Sequence, residues 1–139
     1  RTVVVPRQGT LYSPSGGLRM PATVLVVDDD RDLTRLMTKF LKLEGFDAAE
    51  AYNGQEALKY LRDGGDASVI LLDLRMPVMD GWAFRREQKE DPALADIPVV
   101  VLTGIEGDHE QDLGAAAAFH KPVSFPDVVD ALRRLCDGV

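Results

Sequence analysis

Four places in the sequence carry residue types that could do chemistry together: Asp28-Asp29-Asp30, Asp73, Thr103, and Lys121 followed by Pro122. Each stands directly after a short apolar run. Carboxylates confined within about 4 Å of one another repel by a few kcal/mol at an effective dielectric near 20, so such a cluster needs a cation. A hard divalent ion such as Mg²⁺ (or Mn²⁺) meets that need with oxygen ligands while keeping water and accepting a phosphate oxygen. Lys121 adds a positive point charge. Together with a hydroxyl donor, these groups suit a transferring phosphoryl group, whose charge lies on its equatorial oxygens. A carboxylate can accept that group as an aspartyl phosphate. Asp73, alone at the end of the most buried run, is the candidate acceptor.

The elements that must position these residues follow from the hydropathy pattern. Apolar runs at 23–27, 46–50, 68–72, 97–102 and 115–119 alternate with segments of helical period, the sign of a parallel sheet with crossover helices. The runs at 68–72 and 97–102 are continuously apolar, as strands buried on both faces are. Leu33, Leu36, Met37, Phe40 and Leu41 recur at the spacing of one helix face, and Gly45 marks its stop. A second helix runs from Gly54 through Leu61 to Asp63, ended by Gly64 and Gly65. A third is expected from Trp82 to about Glu90, weakened by Gln88 where an apolar residue belongs and halted by Pro92. The last spans 125–136, with Val128, Val129, Leu132, Leu135 and Cys136 on one face and Pro126 in its first turn. The order is βα five times over, a doubly wound α/β fold whose functional loops lie at the carboxyl ends of the strands.

Composition narrows the function classes. The 139 residues carry 16 Lys plus Arg against 23 Asp plus Glu, a net charge of −7. That balance argues against direct nucleic-acid binding and against anionic lipid surfaces. No apolar run reaches the roughly 20 residues of a spanning helix and no secretory signal is visible, so neither membrane insertion nor export is expected and the chain reads as cytoplasmic. Cys136 is the single cysteine, which excludes an intrachain disulfide. Residues 1–21 hold Pro6, Gly9, Pro14, Gly16, Gly17 and Pro21 and read as a flexible N-terminal segment. It is a tag, with Met20 a candidate natural start, or a linker from a larger protein.

The motifs Val24-Leu25-Val26-Val27-Asp28-Asp29-Asp30, Asp73-Leu74-Arg75-Met76-Pro77-Val78-Met79-Asp80-Gly81, Leu102-Thr103-Gly104 and His120-Lys121-Pro122 together resemble the receiver domain of two-component response regulators. The resemblance covers residues 22–139. Four motifs in one order, each at the end of an alternating element, make it specific. It implies a flavodoxin-like sheet of strand order 2-1-3-4-5 and a phosphoryl transfer from a sensor histidine kinase or a histidine phosphotransfer protein onto Asp73. It further implies that Asp29 binds Mg²⁺ directly, Asp28 largely through water, and Arg75 through its backbone carbonyl. Thr103 would hydrogen-bond the new phosphoryl oxygen and Lys121 would pair with it, passing the change to a downstream effector protein. Pro77, Gly81 and Pro122 are structural near the site, with Asp80 capping the third helix and Pro122 following a cis peptide as in the family.

Three departures accompany the resemblance. The family places an aromatic residue where this chain has Ala118, leaving Phe119 as the nearest ring. Thr103 and Lys121 are 18 positions apart, about one helical turn of roughly 3.6 residues short of the family, so a short or irregular fourth helix is expected between Ile105 and Leu113. No output domain follows Val139, which suggests a stand-alone receiver or a fragment. The chain is read as a switch and not an enzyme proper. One rival is a degenerate receiver that only docks proteins. Another is a haloacid-dehalogenase-type phosphohydrolase, whose D-x-D is mimicked by Asp28-x-Asp30 but whose nucleophile follows the first strand and which normally carries a cap domain.

Overall fold

A computed structural model describes residues 11–12, 18–19, 21–104 and 113–136. Two short strands, β1 (Leu11–Tyr12) and β2 (Leu18–Arg19), pair antiparallel apart from the main sheet. The main sheet holds β3 (Thr23–Val27), β4 (Asp47–Ala51), β5 (Val69–Asp73), β6 (Val99–Thr103) and β7 (Ala117–His120). These five are parallel and ordered β4-β3-β5-β6-β7, which is 2-1-3-4-5 counted from Thr23. Helices α1 (Arg31–Leu43), α2 (Gly54–Arg62), α3 (Gly81–Glu90) and α4 (Phe125–Cys136) cover it. The expected short helix falls on residues 105–112, outside the described residues, as does most of the segment 1–21.

Side chains alternate across each strand, and the two faces gather separate cores. Leu25, Val27, Ile70, Leu72, Val99 and Val101 pack with Leu58, Leu61 and Phe84 of α2 and α3. On the other face Val24, Val26, Val69, Leu71, Val100 and Leu102 pack with Met37 and Leu41 of α1 and with Val128 and Leu132 of α4. Every residue of β5 and β6 is buried, in keeping with their unbroken apolar runs.

Several expected boundaries move by one or two residues. β5 and β6 run on through Asp73 and Thr103 because Asp73 pairs with Leu102, and Thr103 with His120, in the ladders. β6 begins only at Val99 because Pro98, having no N–H, offers the ladder its carbonyl alone, which accepts from Ile70. On α1 the buried face is Thr34, Met37, Thr38 and Leu41, while Leu36 is 58% exposed. The stripe is rotated because both threonines find main-chain acceptors one turn back. Thr34 donates to the Asp30 carbonyl, with that of Asp28 also in reach, and Thr38 has the Arg35 carbonyl within its helix and the Glu50 carboxylate of β4.

Gln88 is where the apolar reading of α3 most needs correction. Its side chain is fully buried and belongs there. The Gln88 amide donates to the carbonyls of Leu94 at 2.9 Å and Ile97 at 3.0 Å, and its oxygen accepts from Arg85 at 2.7 Å. The buried Arg85 guanidinium also donates to the carbonyl of Leu113 at 2.9 Å and that of Gly114 at 3.3 Å. One helix face therefore ties down the turn before β6 and the turn before β7.

Substituting Gln88→Leu leaves the Ile97 carbonyl and one guanidinium arm unmet, each a buried polar group costing about 1–3 kcal/mol, while the Leu94 carbonyl keeps the Ile97 N–H. We predict a loss of roughly 2–4 kcal/mol in urea unfolding. The Arg85→Met, Gln88→Leu double variant is predicted to cost less than the sum of the singles, since it removes donor and acceptor together. Additive losses would show that the two side chains act independently.

Candidate functional site

The ladder register brings the chemistry to one edge. Val27 lies opposite Leu72, so Asp28 and Asp73 emerge side by side. Thr103 lies opposite His120, so Lys121 emerges one step beyond it. The Lys121 ammonium donates to Asp28 Oδ2 at 2.8 Å and lies 3.6 Å from Asp73 Oδ1. Asp28 Oδ1 accepts from the Asp30 N–H at 2.9 Å. Asp28, Asp73 and Thr103 are buried, whereas Asp29 is exposed. Asp30 serves as the N-cap of α1, accepting from the Leu33 N–H, and Asp80 caps α3 in the same way through the Ala83 N–H.

One carboxylate oxygen from each of Asp28, Asp29 and Asp73 lies within 4.8 Å of the others. At such a spacing each ionised pair repels by about 3 kcal/mol at an effective dielectric near 20. One ammonium leaves that cluster short of positive charge. Burial, and then the neighbouring Asp28 charge, push the Asp73 carboxyl up to about 7, against the pull of Lys121 and of the Arg75 N–H that donates to it. Burial alone would lower the Lys121 ammonium, yet the hydrogen bond and charge of Asp28, with those of Asp73, carry it above the ordinary lysine value. Three converging hard oxygen donors, one of them open to solvent, fit a divalent cation of the Mg²⁺ type.

The loop between β5 and α3 is folded tightly under the site. A Cβ on Gly81 would meet the Asp73 carbonyl at 2.6 Å and Leu74 Cα at 2.8 Å, so only glycine lets α3 start there. Gly54, at the start of α2, donates to the Met79 carbonyl at 2.8 Å and pins the far side of the loop. Within it the Met79 N–H donates to the Pro77 carbonyl at 2.9 Å, closing a three-residue turn around Val78 at φ 71°. A positive φ at the centre makes this the rarer, strained γ-turn, and a β-branched residue is poorly suited to it. No residue type in the sequence announces that conformation. Nearby, the Arg75 guanidinium stacks 5.2 Å over the Trp82 ring. An open depression of about 320 Å³ lies there, lined by Arg75, Met76, Pro77, Asp80 and Trp82.

On the opposite flank the Lys121–Pro122 peptide is cis. In β7 Ala118 is exposed, and Phe119 turns the other way to pack into the α1 and α4 core. Phe119 therefore does not stand in for a ring at position 118.

Comparison with known proteins agrees with this geometry. Residues 24–133 match the response regulator receiver domain family. The chain is 40% identical over 109 residues to the response regulator PleD of Caulobacter vibrioides, which spans 75% of this chain and 24% of PleD. It is 29% identical over 118 residues to the polar-differentiation response regulator DivK of Brucella anthropi, covering 82% of this chain and 95% of DivK. The chain thus spans only about a quarter of the length of PleD and nearly all of DivK. The crystal structure of the signal receiver domain of a signal transduction histidine kinase from Syntrophus aciditrophicus superposes with a TM-score of 0.78 at 29% identity, over 85% of this chain and 92% of that one.

The raised Asp73 carboxyl sets a pH dependence. A folded-state value of about 7 against an ordinary 3.8 means that the folded chain holds this proton more tightly than the unfolded chain. Stability from this group therefore falls as pH rises from about 4 to about 7 and stays low above that. Without divalent cations we predict that Asp73→Asn is more stable than the wild type by roughly 2–4 kcal/mol at pH 8, and that the gap closes towards pH 4. Chemical denaturation across that range in EDTA measures it, and a gap independent of pH would refute the assignment. Separately, Val78→Asn is expected to stabilise by about 1 kcal/mol, since asparagine tolerates the left-handed region better than valine does. An unchanged or lowered unfolding midpoint would count against strain at this turn.

Proposed function

The chain belongs to the response regulator receiver domain family, and from that premise we propose that it is a phosphorylation-dependent switch whose acceptor is Asp73. The observation that carries this reading is the buried Asp73 carboxylate, 3.6 Å from the Lys121 ammonium and crowded by Asp28 and Asp29 at the end of a parallel sheet. As an Asp73 oxygen forms its bond to phosphorus, the P–N bond to a donor histidine breaks and the imidazole keeps the electron pair. The donor is a sensor histidine kinase or a histidine phosphotransfer protein. Lys121 pairs with the incoming negative charge and the Thr103 hydroxyl donates to a phosphoryl oxygen. Asp28, Asp29, Asp73 and the Arg75 carbonyl would hold Mg²⁺ or Mn²⁺, which when bound would supply positive charge against the repulsion between carboxylate and phosphoryl oxygens.

The added group brings about −1.5 to −2 charges and strong acceptors, which bias the surrounding loops towards a second arrangement. A downstream effector protein reads that surface. The receiver occupies residues 22–139, with 1–21 as a lead-in, and it works in the cytoplasm as a switch with at most slow hydrolysis of its own phosphoaspartate. No helix among the described residues is long and apolar enough to cross a membrane, and the acidic balance disfavours direct nucleic-acid contact. Ala118 favours one second reading, a receiver that docks proteins without being phosphorylated.

Intact mass after incubation with acetyl phosphate and Mg²⁺ separates the two. The wild type is expected to gain one phosphoryl group, and Asp73→Asn or EDTA to abolish the gain. Lys121→Met is expected to slow it by about tenfold or more, the equivalent of ~1.4 kcal/mol in the barrier. No gain in the wild type despite Mg²⁺ binding would support the docking module. Turnover of a simple phosphate ester lost in Asp28→Asn but kept in Asp73→Asn would instead indicate a phosphohydrolase.

A further inference from the structure

The loop from Leu74 to Asp80 follows directly on the candidate acceptor and is held at three points. At its start the Arg75 N–H donates to the Asp73 carboxylate. At its base the Gly81 N–H donates to the Leu74 carbonyl at 2.8 Å. Its far side is reached from another element, where Gly54, the first residue of α2, donates its N–H to the Met79 carbonyl at 2.8 Å. Among the described residues, that is the main-chain bond tying this loop to a helix other than α3.

The third hold answers a demand that the loop cannot meet by itself. Val78, at φ 71°, is a β-branched residue in the left-handed region, a conformation that persists only where its surroundings impose it. The Met79 N–H to Pro77 carbonyl bond closes the turn from inside, and the Gly54 N–H holds the next carbonyl from outside. The approach is close. A Cβ at Gly54 would meet Met79 Cγ at 2.8 Å, and the Met79 carbonyl oxygen and Sδ at 3.0 Å. Among the described residues the positive-φ glycines are Gly45, Gly64 and Gly114, so the backbone of Gly54 is open to any residue. Its small size therefore answers to Met79, at a helix position where alanine is the better former.

Resting on the phosphoacceptor reading above, we propose that Gly54 is a positioning residue for phosphoryl transfer, which latches Met79 to the start of α2 and through the loop keeps the Arg75 N–H on the Asp73 carboxylate. With the latch displaced, the strained turn at Val78 relaxes and draws Arg75 with it. The acceptor oxygens then lose the main-chain bond that orients them. The first turn of α2, which touches neither Asp73 nor Lys121, thereby sets how well the acceptor is aimed.

The test is the rate of phosphoryl uptake from acetyl phosphate at saturating Mg²⁺, read by intact mass, beside the Arg75 amide resonance of the metal-free full chain. A misplacement of about 1 Å can cost on the order of a hundredfold in rate, so Gly54→Ala, which forces a smaller shift, is expected to slow uptake about tenfold. It is also expected to move the Arg75 amide resonance. The Gly54→Ala, Met79→Ala double variant removes the Cγ and Sδ clashes and is expected to recover part of the rate. Uptake at the wild-type rate in Gly54→Ala would overturn the proposal, as would slowed uptake with the Arg75 amide unmoved, or a double variant no faster than the single. Should Gly54→Ala fail to fold, hydrogen exchange in the wild type decides. Equal protection of the Gly54 and Arg75 amides supports a single latch, since bonds that open together exchange together, and unequal protection overturns it. Absence of any mass gain in the wild type refutes the phosphoacceptor reading and this one together, whereas equal gain in the wild type and Gly54→Ala refutes this one alone.

Discussion

Three carboxylates crowd one ammonium at the edge of the sheet, and much of the architecture exists to hold them there against their repulsion. Asp28 and Asp73 leave neighbouring strands side by side because Val27 and Leu72 are paired in the ladder. The two core layers that bury those strands supply the stability that offsets the electrostatic cost. Burial and the Asp28 charge raise the Asp73 carboxyl, while Lys121, bonded to Asp28 at 2.8 Å, keeps the cluster from opening. Such a site gains stability from anything that brings positive charge to it and is sensitive to anything that adds negative charge. A signalling switch needs both responses.

The buried Arg85–Gln88 pair answers a different demand at the other end of the molecule. The turns before β6 and β7 leave main-chain carbonyls in the interior, where unpaired acceptors are costly. Arg85 and Gln88 pair with those of Leu94, Ile97, Leu113 and Gly114 from a single helix. β6 and β7 thus start from anchored turns and deliver Thr103 and Lys121 at their far ends. With the starts held, the positions of the two side chains follow from strand length and ladder register.

Much of this was legible in the sequence, for identifiable physical reasons. Unbroken apolar runs mark β5 and β6 because strands buried on both faces tolerate little else, and the residue types at their ends mark the site. Asp30 and Asp80 read as helix caps because short carboxylates at those places accept exposed N–H groups. Other features were opaque because they depend on distant partners. Gln88 interrupts an apolar pattern, and only the carbonyls of Leu94 and Ile97 explain why it is buried. The rotation of α1 that exposes Leu36 follows from threonine hydroxyls finding local acceptors, which hydropathy does not register. Val78 sits in a left-handed turn that its type disfavours, because the loop is closed on both sides by Gly54 and Gly81.

The distribution of burial also says where a change can emerge. β5 and β6 carry Asp73 and Thr103 but are buried along their whole length, and close-packed strands do not shift without loss of core contacts. β7 is different, being an edge strand whose residues alternate between half-buried and exposed, and it carries Lys121 at its end. The β5–α3 loop also reaches the surface, with Val78 exposed in its strained turn. Among the described residues, a charge added to Asp73 would therefore act against buried strands and reach solvent through the end of β7, which carries Lys121, and through this loop.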